Sequence, residues 1–205
     1  MEWDAPGIVL AVHPYGESDA VATVMTEAQG AHRGLARGAQ SRHAALWQPG
    51  NLVQARWVGR LADQLGSFSA EMIHPAAALV LDDALALAML CSACATAEAA
   101  LPERQAHPLV FAGLLRLLAH LPEGAPQLSA LIRWEADLLT ELGYGMDLSA
   151  CAVTGAASGL AYVSPKTGRA VSAEGAGIWA ERLLKLPALL LAEPLRNAPD
   201  DAADW

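Results

Sequence analysis

Five arginines, Arg33, Arg37, Arg42, Arg56 and Arg60, stand between Glu27 and Asp63 with no carboxylate among them, in a chain whose formal net charge is −9. Guanidinium groups grip phosphates and carboxylates through paired hydrogen bonds. A basic stripe on an acidic body therefore suits an anionic partner on one face, while the remainder discourages unspecific adhesion. Arg33 and Arg37 are four residues apart, as are Arg56 and Arg60, and on extended strands an even spacing puts both members of a pair on one side. Trp57, beside Arg56, offers a ring for base stacking or, on the plainer reading, a core residue. A phosphate backbone and an acidic protein partner satisfy this chemistry equally well.

Other chemistry is not signalled. The sequence contains no GxSxG elbow, HExxH motif, P-loop or dinucleotide glycine fingerprint. His13, His32, His43, His74, His107 and His120 are scattered without ligand spacing and read as surface or partly buried polar residues. A hydrolytic role for His43 or Cys151 is the weakest reading. Glu135, Asp137 and Glu141 read as a solvated helix face rather than an acid/base pair. Three cysteines, Cys91, Cys94 and Cys151, cannot build a disulfide framework and suit a reducing compartment. The "CSAC" at 91–94 has no second CxxC and reads as core packing within a helix.

The elements that must position the arginines follow from the pattern of the chain. With 54% hydrophobic and 17% charged residues it can bury a substantial core. Up to His74-Pro75, segments rich in Val, Ile and Thr at 7–13, 19–26, 30–38, 52–60 and 66–73 are separated by turn signals at "PYGES", "EAQG", "WQPGN" and "DQLG". Five strands with no helical period between them predict a small antiparallel barrel or sandwich. Beyond Pro75 the pattern is helical at 76–101, 109–121, 127–142 and 176–186. In the third helix Leu128, Leu131, Leu138, Leu139 and Leu142 make one apolar face, and "GYG" at 143–145 stops it. A hairpin around "SPKTG" is expected within 151–172. The longest apolar run, 84–97, is shorter than the ~20 residues a bilayer span needs. The acidic start "MEWDAPGIVL" lacks the features of an export signal, so a cytoplasmic location is expected.

Several stretches in the same order carry a resemblance: "GIVLAVHPYGESDAVATVMTEAQGAHRGLARGAQS", "QPGNLVQARWVGRLADQLGSFSAE", "LPERQAHP", "RWEADLLTELGYGMDLSACAVTG" and "YVSPKTGRAVS". Together, from Gly7 to about Leu191, they resemble the RecO family of bacterial recombination and DNA-repair mediators. The resemblance implies an α+β chain: an N-terminal OB-fold barrel over 1–75, then a mainly helical domain over 76–205 with a zinc-knuckle-like hairpin at 151–172. It implies function without turnover: binding single- and double-stranded DNA, annealing complementary strands, and helping to load recombinase on DNA coated by single-stranded-DNA-binding protein (SSB). RecR and the acidic, apolar C-terminal tail of SSB are the implied protein partners, with RecF left open, and the location is the bacterial cytoplasm at the nucleoid.

The family's basic segment corresponds to Gly30, Arg33, Arg37, Gly38 and Ser41, followed by Arg42, and these arginines, with Arg56, Arg60 and Trp57, are the expected DNA contacts. The basic residue of its "R-[FW]-E" helix corresponds to Arg133, the expected SSB-tail contact together with Arg116. The sequence departs from the pattern twice. Many relatives carry four zinc-binding cysteines at the hairpin, whereas here only Cys151 remains and Thr154 occupies the next position, so no metal or other cofactor is expected and packing alone should hold the hairpin. The end, "PLRNAPDDAADW", stops where relatives continue into another helix and a basic tail, so the chain reads as truncated or naturally short. The competing reading is an OB-fold interaction module whose basic stripe meets an acidic protein.

Overall fold

A computed structural model of the chain describes residues 1–60, 65–123 and 127–191. They form two compact units, divided after Leu131.

The first unit begins with five strands: β1 (Glu2–Tyr15), β2 (Asp19–Thr26), β3 (Gly30–Ala36), β4 (Leu52–Val58) and β5 (Gly66–His74). They close into a barrel in the order β1-β2-β3-β5-β4, antiparallel throughout except where β3 runs parallel to β5. This is the five-stranded OB-fold arrangement. β1 closes it because it is long enough to pair twice, through Glu2–Ile8 with β4 and through Gly7–Tyr15 with β2. A register shift between Val9 and Ala11 bends it from one partner to the other. All five expected strands are present, but β3 and β4 each end two residues before their expected limits.

Trp57 fills one end of the barrel and is 2% exposed. Its indole occupies volume that side chains on two neighbouring strands would need. A Cβ on Gly66 would lie 2.2 Å from Trp57 Cε2, and one on Gly34 would lie 3.1 Å from Trp57 Cδ1 and 2.7 Å from the Phe68 Cδ2 beside it. Trp57 Nε1 donates to the Arg33 carbonyl at 3.1 Å, so the buried ring keeps no unsatisfied donor. Trp3 stacks on it at 6.3 Å, and His32 meets the two indoles edge-on at 5.2 and 5.4 Å.

The connection from β3 to β4 is a run of turns tied down at both ends. Asp19 Oδ1 accepts from the Gly38 N–H at 2.8 Å, and the Ser18 carbonyl accepts from Gln40 at 2.9 Å. At the far end Asn51 is buried. Its Nδ2 donates to the Ala45 and Leu46 carbonyls at 2.9 and 3.2 Å, while its Oδ1 accepts from Ala77 N at 3.1 Å. Its short amide side chain thus fixes the loop and the chain leaving the barrel together.

Three helices complete this unit: α1 (Ala76–Leu79), α2 (Ala84–Ala100) and α3 (Pro108–His120). The single helix expected over 76–101 is two, because Asp83 is an N-cap whose carboxylate accepts from Leu85 N and Ala86 N at 2.9 and 3.0 Å. Of the CSAC pair only Cys94 is core, its thiol pushed up to about 12 by burial, whereas Cys91 is exposed. The link between α2 and α3 covers the start of β3, which has no partner on the β5 side before Gly34. Ala31 bridges to Glu103, and Arg104 N donates to the Ala31 carbonyl at 2.8 Å, so otherwise unpaired edge groups are satisfied.

α4 (Gln127–Glu141) runs across the division and ends before Gly143, whose φ of +87° is the left-handed stop expected there. Its buried stripe is Leu131, Trp134 and Leu138; Leu128 and Leu139, expected on the same apolar face, are exposed. In the second unit β6 (Leu160–Val163) and β7 (Ala170–Ser172) form the expected hairpin, to which β8 (Leu184–Lys185) adds a third strand. The fourth expected helix, 176–186, is therefore corrected: a short α5 (Ala173–Ala176), a 3-10 turn over Gly177–Arg182 and β8 take its place, followed by α6 (Ala188–Leu191). Gly177, at φ +47°, leaves helical geometry where the continuous helix would have run.

The hairpin is also not held by packing alone. Cys151 Sγ accepts from Ser172 N at 3.2 Å, from Ser172 Oγ at 3.3 Å and from Thr154 N at 3.4 Å, and these donors hold its thiol below the ordinary cysteine range. Among the described residues, no three His, Cys, Asp or Glu side chains are grouped to hold a metal, and no helix is long and apolar enough to cross a membrane. The first two residues of the "DQLG" turn signal, 63–64, and the C-terminal stretch from 192 onward lie outside the described residues.

Candidate nucleic-acid interface

The barrel divides the arginine stripe into two sets. Arg33, on β3, places Nη1 3.7 Å from Glu103 Oε1, a carboxylate brought in by the α2–α3 link. Arg56, on β4, donates from Nε to Glu2 Oε1 of β1 at 2.7 Å. Both guanidiniums are about half exposed, and each already engages a carboxylate of its own. Arg37, Arg42 and Arg60 are exposed, and none of the three has a carboxylate partner among the described residues.

The even-spacing argument fails for a local reason. β3 ends at Ala36 and β4 at Val58, so Arg37 and Arg60 lie beyond the strands whose alternation was to align them. Nor are the two pairs on adjacent strands, because β5 lies between β3 and β4. Consequently Arg37 and Arg60 leave the strands on either side of β5. Arg42 is held in the turn that follows Arg37, where the Ser41 and His43 N–H groups donate to the Gly38 carbonyl at 3.1 and 3.0 Å. Gly38 adopts φ +69°, and the Arg42 and His43 side chains fold back over it.

Trp57 is corrected as a contact residue. Its ring faces the barrel interior, so it offers no face to a base, and the core reading stands. An aromatic residue the sequence reading did not single out is better placed: Tyr15, at the end of β1, is 59% exposed and lines a shallow concavity of about 430 Å³ with Leu35, Val58, Arg60, Leu65 and Ser67. Its position within the "PYGES" turn signal disguised it as turn chemistry. Glu2 and Glu103 were missed for another reason: they are 54 and 70 residues from the arginines they engage, and only the folded chain pairs them.

Arg116 and Arg133 fall in different units. Arg133 is half-buried and donates from Nε to the Leu189 carbonyl of α6 at 3.1 Å. Arg116 is partly exposed on α3, and its carbonyl lies 2.8 Å from His120 Nδ1. Of the residues considered for hydrolysis, His43 is exposed on the loop and Cys151 is buried in the second unit.

The chain was compared with known families and proteins. Residues 1–76 match the family model described as Recombination protein O N terminal, and residues 81–202 match Recombination protein O C terminal. The chain is 61% identical over 207 residues to the DNA repair protein RecO of Granulibacter bethesdensis, spanning all of this chain and 82% of the relative. It is 56% identical to RecO of Acidiphilium cryptum, over all of this chain and 80% of that protein, and 54% identical to RecO of Gluconacetobacter diazotrophicus, over all of this chain and 82% of that protein. A barrel of OB topology, a helical region after it and this unbroken similarity along the chain have one explanation: it belongs to the RecO family of DNA repair and recombination proteins.

Proposed function

We propose that the chain binds single- and double-stranded DNA through the barrel loops that carry Arg37, Arg42 and Arg60, and that it acts without turnover as an annealing and recombinase-loading mediator. The observation that carries this reading is the presence of three exposed guanidiniums with no carboxylate partner among the described residues, on a chain with a net charge of −9. Backbone phosphates supply such groups with affinity but no sequence information. An annealing protein benefits from that arrangement, since base edges must stay free to pair. Arg33 and Arg56 are second contacts, available to phosphate only in exchange for Glu103 and Glu2.

Family membership supports two protein partners: RecR, and the acidic tail of SSB, for which Arg133 and Arg116 are the candidate contacts, each to be tested by itself. RecF is a further candidate, and the cytoplasm is the location in which these partners would be met. The domain division at about residue 75 belongs to the same proposal.

Fluorescence anisotropy of a labelled single-stranded oligonucleotide across a salt series tests the reading. Three phosphate contacts give a slope of log affinity on log salt of about −2 on single strands. The Arg37→Ala/Arg42→Ala/Arg60→Ala variant should lose that slope and most of the affinity. If the triple variant binds DNA as the wild type does yet loses an acidic partner protein, the stripe is an interaction surface. The Arg33–Glu103 and Arg56–Glu2 pairs support that alternative, because they show this surface already accepting carboxylates.

A further inference from the structure

We propose that the concavity beside Arg60 receives one unpaired nucleobase of a bound strand, stacked against Tyr15. This rests on the DNA-binding reading above and adds to it a contact that distinguishes single strands from duplex. The floor of the concavity is a row across three strands. Leu35 of β3 and Val58 of β4 are both in register with Ser67 of β5, one from each side. All three side chains point outward, because their neighbours Ala36, Trp57 and Phe68 fill the barrel core. The result is a flat platform, apolar at both ends and hydroxyl-bearing in the middle.

Tyr15 and Leu65 border this platform, with exposures of 59% and 53%, and Arg60 stands at its rim. Among the described residues, no carboxylate lines the concavity. The features of a single-strand site are thus combined: an aromatic face for a base, apolar floor beneath it, and guanidiniums for the flanking phosphates, with Arg60 at the rim and Arg37 two residues beyond Leu35. The volume of about 430 Å³ is shallow and open rather than enclosing, which suits a base entering from a continuous strand. A duplex keeps its base faces stacked inside and offers this surface only its backbone and groove edges.

The test uses the full chain and three probes: an oligothymidine single strand, a duplex of equal length, and a single strand of abasic sugar-phosphate. Tyr15→Ala should weaken binding of the oligothymidine about ten-fold, the loss of one stacked base. Duplex and abasic strand should bind as tightly as they do to wild type. Tyr15→Phe keeps the ring and should restore oligothymidine binding. Equal losses on all three probes would overturn the proposal, leaving Tyr15 as a backbone contact or a structural residue. Unchanged oligothymidine binding would overturn it too, while the arginine reading stands. If wild type binds none of the probes at low salt, both readings fall together.

Discussion

Replacing Glu103 by Gln should make this protein bind DNA more tightly, because it releases an arginine the fold holds back. The Arg33–Glu103 contact is long, 3.7 Å, and its side chains are 49% and 47% exposed. An exposed pair of this kind contributes about 0.2–1 kcal/mol, so Glu103→Gln should leave the fold intact with a loss of less than about 1 kcal/mol. The backbone bridge from Glu103 to Ala31 and the Arg104 to Ala31 hydrogen bond do not depend on the carboxylate. Once freed, Arg33 adds about one phosphate contact, which steepens the salt slope on single strands by about 0.7. Between 50 and 200 mM salt, the variant's affinity should therefore fall by about 2.6-fold more than that of wild type. Anisotropy titrations of both proteins across that range, with thermal unfolding as the control for the fold, measure it. An unchanged slope with a folded variant would refute the reasoning and place Arg33 outside the path of the DNA. Glu2→Gln offers the parallel test for Arg56.

Other outcomes follow from the same contacts. Gly66→Ala drives a methyl group to within 2.2 Å of the Trp57 indole, whose own hydrogen bond to Arg33 resists movement; the cost should be about 1–3 kcal/mol, read as a lower denaturation midpoint. His32 is held neutral by burial and by the neighbouring Arg104, so its folded pKa lies below 6.5. The unfolded chain then binds more protons below that value: stability should be full above about pH 6.5 and fall as the solution is acidified, with a smaller fall in His32→Gln. His74 is also lowered by burial and adds to the effect in both proteins, so the difference between them reports His32. Cys151→Ala strips the acceptor from the buried Ser172 N–H and should cost about 1–3 kcal/mol. Adding a chelator to wild type should change nothing in the same unfolding assay, and a drop in its midpoint would show that a metal supports the hairpin.

Local chemistry made much of this molecule readable in advance. The five barrel strands stand where segments rich in Val, Ile and Thr alternate with glycine and proline turn signals, and α3 and α4 stand where leucines recur at helical spacing, because both signals lie within a few residues of the structure they specify. The break between α1 and α2 was missed, because the apolar pattern runs on through it, although Asp83 before an apolar run carries the local capping signal. The same local reading fails at 176–186, where β8 forms only because β6 offers it a free edge. It also fails for the arginines. Their identity and their lack of nearby acids are properties of the chain, and so is the family motif they complete. Which of them remain open to a phosphate is a property of the barrel. Insertion of β5 between β3 and β4 separates pairs that look adjacent in sequence. Closure of β1 on β4 brings Glu2 to Arg56, and docking of the α2–α3 link on the edge of β3 brings Glu103 to Arg33. Trp57 turned inward by the same logic, since β4 alternates and the volume left free by Gly34 and Gly66 lies inside. Residue type and short-range periodicity are written in the sequence itself; the pairing of charges tens of residues apart is decided only when strands close into a barrel.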